Sequence, residues 1–126
     1  MSGDRSPTIY HYAGCGTCKK ALAWLAARGV AVDKVDLVAT PPDRDTLAGL
    51  WRRSGKPLAK IFNVSGQSYR DGGFKDRLPW MSEDAQLAAL AADGKLVKRP
   101  LLDLGSVVLV GFAEAEWASS VAEVER

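Results

Sequence analysis

Tyr10-His11-Tyr12-Ala13-Gly14-Cys15-Gly16-Thr17-Cys18-Lys19-Lys20 is the stretch that decides how this chain is read. Thr8 to Tyr12 is β-branched and aromatic, and it runs into a Gly-Cys-Gly turn, so a short strand ends at the cysteines. From Gly16 to Arg28 the chain is rich in Ala and Leu, with Leu22, Leu25 and Ala26 on one stripe, and Gly29 supplies a left-handed stop. Cys15 therefore opens a helix. A helix N-terminus concentrates unpaired N–H groups and about half a positive charge, which stabilises a thiolate placed there. In C-x-x-C motifs the thiol pKa falls from about 8.5 to roughly 3.5–7.5. Lys19 and Lys20 are expected to push the same way.

Cys18 lies one helical turn further in, close enough to attack a mixed disulfide formed on Cys15. Cys15 is thus the candidate nucleophile and Cys18 the resolving thiol. Gly16 leaves room for a substrate backbone or oxyanion, and Thr17 suits the first turn, so both join the candidate substrate-binding set. Two other readings stay open on the residues alone. One is a zinc shared between two copies, since two cysteines and one histidine fall short of the four ligands of a structural site. The other is a pair of inert buried thiols. The redox reading itself requires no bound metal or organic cofactor.

Working outward, Val30 to Val38 reads as a second strand, parallel to the first and joined to it by the helix in a right-handed βαβ unit. Thr40-Pro41-Pro42-Asp43 opens a further helix, with the prolines in its first turn, and Leu47, Leu50, Trp51 and Ser54 follow the helical period to a stop at Gly55-Lys56-Pro57. Leu58 to Trp80 is broken by Ser65-Gly66, Gly72-Gly73 and Pro79, which leaves short helical turns around Ile61, Phe62, Tyr69 and Phe74. Ser82-Glu83-Asp84 caps another helix, with Leu87, Leu90 and Ala91 spaced for burial and Gly94 at its end. Val97 to Leu104 and Val107 to Val110 flank Gly105-Ser106 as an antiparallel hairpin. A closing helix carries Trp117, Val121 and Val124 at helical spacing. The order is βαβ, a helical segment, then ββα.

Composition bounds the rest. With 126 residues, 47% hydrophobic and 25% charged, the chain is sized and balanced for one folded domain, residues 1–126. Its 17 basic and 15 acidic residues are intermixed, giving a net +2 and no single-sign field to hold a phosphate backbone, so direct nucleic-acid binding is not expected. The first seven residues have no apolar stretch behind their charges, and no run approaches the roughly 18–20 apolar residues of a membrane span. A cytoplasmic protein without membrane contact is the expectation. Two cysteines cannot build a multi-bridge secreted framework.

Three motifs in order, Tyr10 to Cys18, Lys98-Arg99-Pro100-Leu101-Leu102 and Val110-Gly111-Phe112, resemble the arsenate reductase (ArsC) family, which also contains the regulators Spx and MgsR. The resemblance covers Thr8 to about Glu123. It implies an α/β, thioredoxin-like fold, with a core of residues 8–38 and 97–124 and a helical insertion, residues 41–94, between the second and third strands. It also implies that Cys15 is the attacking cysteine, assisted by His11 and Arg99, and that Pro100 is a cis-proline facing it and receiving substrate backbone. Arg99 offers a permanent charge and a planar fork suited to an oxyanion or thiolate. On the residues alone, the alternative readings are a surface charge at a strand start for Arg99 and a packed or solvated strand-end residue for His11.

Departures from the pattern narrow the implied activity. Arsenate reductases of this type carry further arginines in the insertion and near the last hairpin, where this chain has Ile61-Phe62-Asn63 and Gly111-Phe112-Ala113. They also lack a cysteine at the position of Cys18, whereas Spx and MgsR have one. The leading expectation is a thiol–disulfide oxidoreductase acting on a small oxidised substrate or a protein disulfide, with glutathione, glutaredoxin or thioredoxin as electron donor. The alternative is a Spx-like redox switch that binds RNA polymerase, with arsenate reduction proper third.

Overall fold

A computed structural model describes residues 6–124 of the chain. The reading of the first residues as lacking a leader concerns positions that lie mostly outside this range. Four strands, β1 (Thr8–His11), β2 (Asp33–Asp36), β3 (Leu101–Asp103) and β4 (Val108–Val110), form one sheet in the order β2-β1-β3-β4. β1 and β2 run parallel, while β3 is antiparallel to both β1 and β4. This is the thioredoxin-like arrangement expected from the sequence.

Strand alternation divides the core between the two faces of the sheet, because successive side chains point to opposite sides. Ile9, Leu102 and Leu109 join Ala21, Leu25, Trp117 and Val121 on the face covered by α1 (Gly16–Ala27) and α6 (Glu114–Val124). Their neighbours Leu101 and Val108 face the other way, into a cluster with Leu47, Leu50, Leu87 and Leu90. Those leucines come from α2 (Arg44–Ser54) and α5 (Glu83–Ala92). Between these two helices lie a 3-10 turn, Leu58–Ile61, the short helices α3 (Gln67–Asp71) and α4 (Phe74–Arg77), and a second 3-10 turn, Leu78–Trp80. The expected helical turns around Ile61, Tyr69 and Phe74 are present, and Phe62, Tyr69 and Phe74 pack their rings together.

Helix ends follow local chemistry. Asp43 and Ser82 cap α2 and α5 by accepting the N–H groups of Thr46 and Ala85. Gly29 and Gly55 close α1 and α2 with φ near +70°. The prolines 41 and 42 stand before the Asp43 cap, not inside the first turn as expected; Asp43 takes the capping position because its carboxylate accepts the orphan Thr46 N–H of the first turn.

The expectations for β2 and β3 were both too long. β2 occupies Asp33–Asp36 instead of Val30–Val38, because the Val30 N–H is spent on the Leu25 carbonyl and the Asp36 carboxylate turns the chain by accepting from Val38 and Ala39. β3 begins at Leu101, not Val97. Proline has no N–H to extend the ladder at position 100, and residues 97 and 98 pair with the insertion instead, Val97 opposite Phe62 and Lys98 N–H on the Ile61 carbonyl. Ala26 and Val124, placed on the apolar stripes of their helices by spacing, are exposed, since the buried face of α1 runs through Cys18, Ala21 and Leu25 and that of α6 ends at Val121.

Gly94 follows α5, but its φ is not left-handed and Asp93 holds the C-cap position. It is glycine for space. It is buried, and a Cβ there would lie 1.8 Å from the Leu37 carbonyl oxygen. Gly94→Ala should therefore force backbone apart and cost about 1–3 kcal/mol, read as a lower urea midpoint. Gly16→Ala, whose Cβ would meet nothing within 4 Å, is the matched control and should stay within about 0.5 kcal/mol of the parent. Equal midpoints for the two variants would refute the close-approach account.

Candidate active site

β1 delivers the chain to Tyr12, and a turn closed by the Cys15 N–H on the Tyr12 carbonyl, 3.0 Å, lifts it into α1. Cys15 is the N-cap of that helix in extended conformation, φ −94° and ψ 115°. Its sulfur accepts the Cys18 N–H at 3.3 Å, and its carbonyl accepts the Lys19 N–H at 3.1 Å. The expected geometry is present: one sulfur at the helix start, partly exposed, and a second one turn in and fully buried.

Opposite shifts separate the two thiols. Burial alone would raise Cys15, but hydrogen bonds from the Cys18 thiol and N–H, together with the charge and donor of Arg99, bring it below its ordinary 9.0. Burial pushes Cys18 up to about 12, reinforced by its hydrogen bond to Cys15 and that neighbour's charge. Lys19 and Lys20, expected to assist, are exposed to solvent, and the lowering comes from Cys18 and Arg99 instead.

Arg99 is brought to this spot by the sheet. β3 pairs with β1 so that Leu101 stands opposite Tyr10, and continuing that register sets Pro100 beside His11 and Arg99 beside Tyr12. The guanidinium lies over the Tyr12 ring, 5.1 Å from its centroid, and Nη1 donates to the Lys95 carbonyl at 2.9 Å. The Arg99–Pro100 peptide is cis, as the resemblance implied, and Pro100 is buried with its carbonyl accepting the Gly111 N–H.

Gly16 and Thr17 are exposed on the first turn of α1, with open space above Gly16. His11 sits apart from the sulfurs in bonding terms. Its carbonyl accepts the Leu37 N–H, it stands opposite Asp36, and among the described residues its imidazole makes no hydrogen bond to Cys15 or Cys18. Tyr12 is the residue sequence reasoning missed. The signal was the strand register, which places any residue two beyond Tyr10 next to one two before Leu101. No group of three or more His, Cys, Asp or Glu among the described residues is placed to hold a metal, and no described helix is long and apolar enough to cross a membrane.

Fold and site together define a thioredoxin-like protein with a cysteine pair at the start of its first helix. The chain belongs to the ArsC family, whose pattern its residues 10–120 match. It is 45% identical to the uncharacterised protein YusI of Bacillus subtilis, over 89% of this chain and 95% of that one. It is 30% identical to an arsenate reductase of Neisseria meningitidis, over 82% and 87% respectively. Among solved structures, a protein described as ArsC family related, from Bacteroides fragilis, superposes with a TM-score of 0.88 at 37% identity, covering 91% of this chain and 97% of that one.

Two measurements check the electrostatics. Arg99→Ala should raise the Cys15 pKa, followed by thiolate absorbance in the reduced protein, with Arg99→Lys intermediate because it keeps the charge but loses the fork; an unmoved titration would remove Arg99 from the site. Stability supplies the second. Above pH 9.0 the unfolded Cys18 ionises while the folded one keeps its proton up to about 12, so the folded state loses stability as pH rises through that window. Cys15, depressed, acts oppositely: its contribution is complete above 9.0 and is lost as pH falls through its lowered value. Cys18→Ser should therefore show a shallower alkaline loss of stability in urea unfolding than the reduced parent.

Proposed function

We propose that this protein is a thiol–disulfide oxidoreductase that reduces a small oxidised substrate or a protein disulfide through Cys15 and Cys18. The observation that carries the reading is the 3.3 Å contact from the Cys18 N–H to the Cys15 sulfur, which puts an ionisable nucleophile and a second thiol on one helical turn.

In the first step the Cys15 thiolate attacks one sulfur of the substrate disulfide. A Cys15–substrate disulfide forms, the original S–S bond breaks, and the departing thiolate takes a proton from solvent. In the second, Cys18 gives up its proton and attacks the Cys15 sulfur; the intramolecular disulfide forms and the remaining substrate thiolate leaves. The substrate has gained two electrons and the pair has lost two. An external thiol donor, of the glutathione, glutaredoxin or thioredoxin class, returns them.

The two shifts order these steps. Cys15 ionises first, and while it is a thiolate its charge helps hold the Cys18 proton. Once Cys15 is a mixed disulfide that charge is gone, so Cys18 becomes easier to ionise when it is needed.

The N. meningitidis relative is named an arsenate reductase. In this chain Ile61 and Phe62 are buried in the core and Phe112 packs edge-on against Trp117 at 4.9 Å, so neither segment offers an added cation to an oxyanion. Together with the resident Cys18, that favours a disulfide over arsenate as substrate.

Cys18→Ser should accumulate disulfide adducts on Cys15 in oxidatively stressed cells, seen as reducible bands on non-reducing gels, while Cys15→Ser accumulates none. No adduct on Cys15 would overturn the catalytic reading. If that result came with an RNA polymerase complex that forms in one oxidation state alone, a redox switch would replace it.

A further inference from the structure

Arg99 has little to hold it where it is useful. A guanidinium carries five donors, and a side chain of this length loses much rotamer entropy when fixed. The hydrogen bonds it makes go to the backbone of its own segment, to the Lys95 carbonyl at 2.9 Å and the Val97 carbonyl at 3.5 Å. No carboxylate among the described residues pairs with it. What lies beneath its face is the Tyr12 ring, 5.1 Å from the guanidinium carbon, within the range of a cation–π contact.

Tyr12 is itself held by the cysteine turn. The Tyr12 carbonyl accepts the Cys15 N–H at 3.0 Å. The cysteine loop closes down on the ring so tightly that a Cβ on Gly14 would stand 3.0 Å from Tyr12 Cε2. One residue therefore touches the backbone of the nucleophile, the loop between strand and helix, and the arginine from the far strand.

We propose that Tyr12 is a positioning residue whose aromatic face seats the Arg99 guanidinium beside Cys15, so that β1 and β3 deliver one prealigned site. The role belongs to the ring and not to the hydroxyl, because the ring carries both the Gly14 and the Arg99 contacts. It rests on the reading of Cys15 as the reactive thiolate, and it adds a residue that touches no reacting atom.

The test titrates Cys15 alone, in a Cys18→Ser background, by the pH dependence of its alkylation by iodoacetamide. Tyr12→Leu should raise the Cys15 pKa by roughly half a unit, and Tyr12→Phe should restore the parent curve. In an Arg99→Ala background Tyr12→Leu should have no further effect, since the platform then has nothing to seat. An unchanged curve in Tyr12→Leu, or an equal shift with and without Arg99, overturns the proposal, the second outcome because it shows that Tyr12 acts through the loop and not the arginine. Should Tyr12→Leu not fold, Tyr12→Gln replaces it with the same expectations. A parent Cys15 that titrates at an ordinary thiol value would instead overturn the functional reading on which the proposal rests, which keeps the two failures distinct.

Discussion

The helix after the first strand is capped by sulfur. Most helices place a serine, threonine or aspartate oxygen where Cys15 stands, because the first N–H groups need a strong acceptor. A neutral thiol is a weak acceptor; a thiolate is a good one. The helix start and the proposed nucleophile therefore need the same ionisation state of one atom, and the 3.3 Å contact from the Cys18 N–H is a structural cap that also favours the thiolate. The depressed Cys15 pKa is the thermodynamic expression of that agreement: whatever lowers it also stabilises the folded state in the pH range where the thiolate persists.

A cap of this kind makes α1 depend on what surrounds the sulfur, which gives the insertion a purpose beyond filling space. Gly94 lets the end of the insertion lie against the Leu37 carbonyl, just beyond β2. From there Leu96 and Ile61 exchange backbone contacts with Asn63 and Lys98, so residues 95–98 are tied down before the chain enters β3. Arg99 follows directly, held by the Lys95 carbonyl. On the opposite edge Arg53 of α2 binds Asp103 through two donors, at 2.5 and 3.1 Å, and the Gly105 carbonyl, fastening the insertion to the β3–β4 turn. The segment between the two halves of the fold thus clamps both ends of the strand that supplies the arginine.

How much of this was legible in the sequence depends on the range of the interaction that fixes it. Element types came from local signals: the β-branched run before the cysteines, Gly29, Gly55 and Ser82 each act within a turn, and each is where it was expected, while Asp43 took the cap beyond the expected helix start. The ends of β2 and β3 were misjudged because their apolar runs continue past the ladder. Val97 is claimed by Phe62, a tertiary decision with no local mark, whereas Val30 is claimed by the helix end through the left-handed Gly29 turn, a local effect that the apolar run masks. The cysteine pair was readable from spacing, whereas Arg99 needed the family resemblance. Tyr12 was hidden for a different reason: an aromatic at a strand end reads as core, and its partner is 87 positions away in the chain, visible once β1 and β3 are in register.

The same register bears on why a common motif yields two unlike thiols. Spacing of three puts both sulfurs on one helical turn, and nothing in that spacing distinguishes them. The sheet does. Cys15 lies at the rim, where Arg99 and solvent support its charge, and Cys18 points inward among atoms that cannot. Each shift then strengthens the other, since a charge on Cys15 is best satisfied by a neighbour that keeps its proton, and a protonated Cys18 is the donor that Cys15 accepts. The lowered Cys15 and the raised Cys18 thus form one coupled site, in which ionisation of the outer sulfur favours a proton on the inner one.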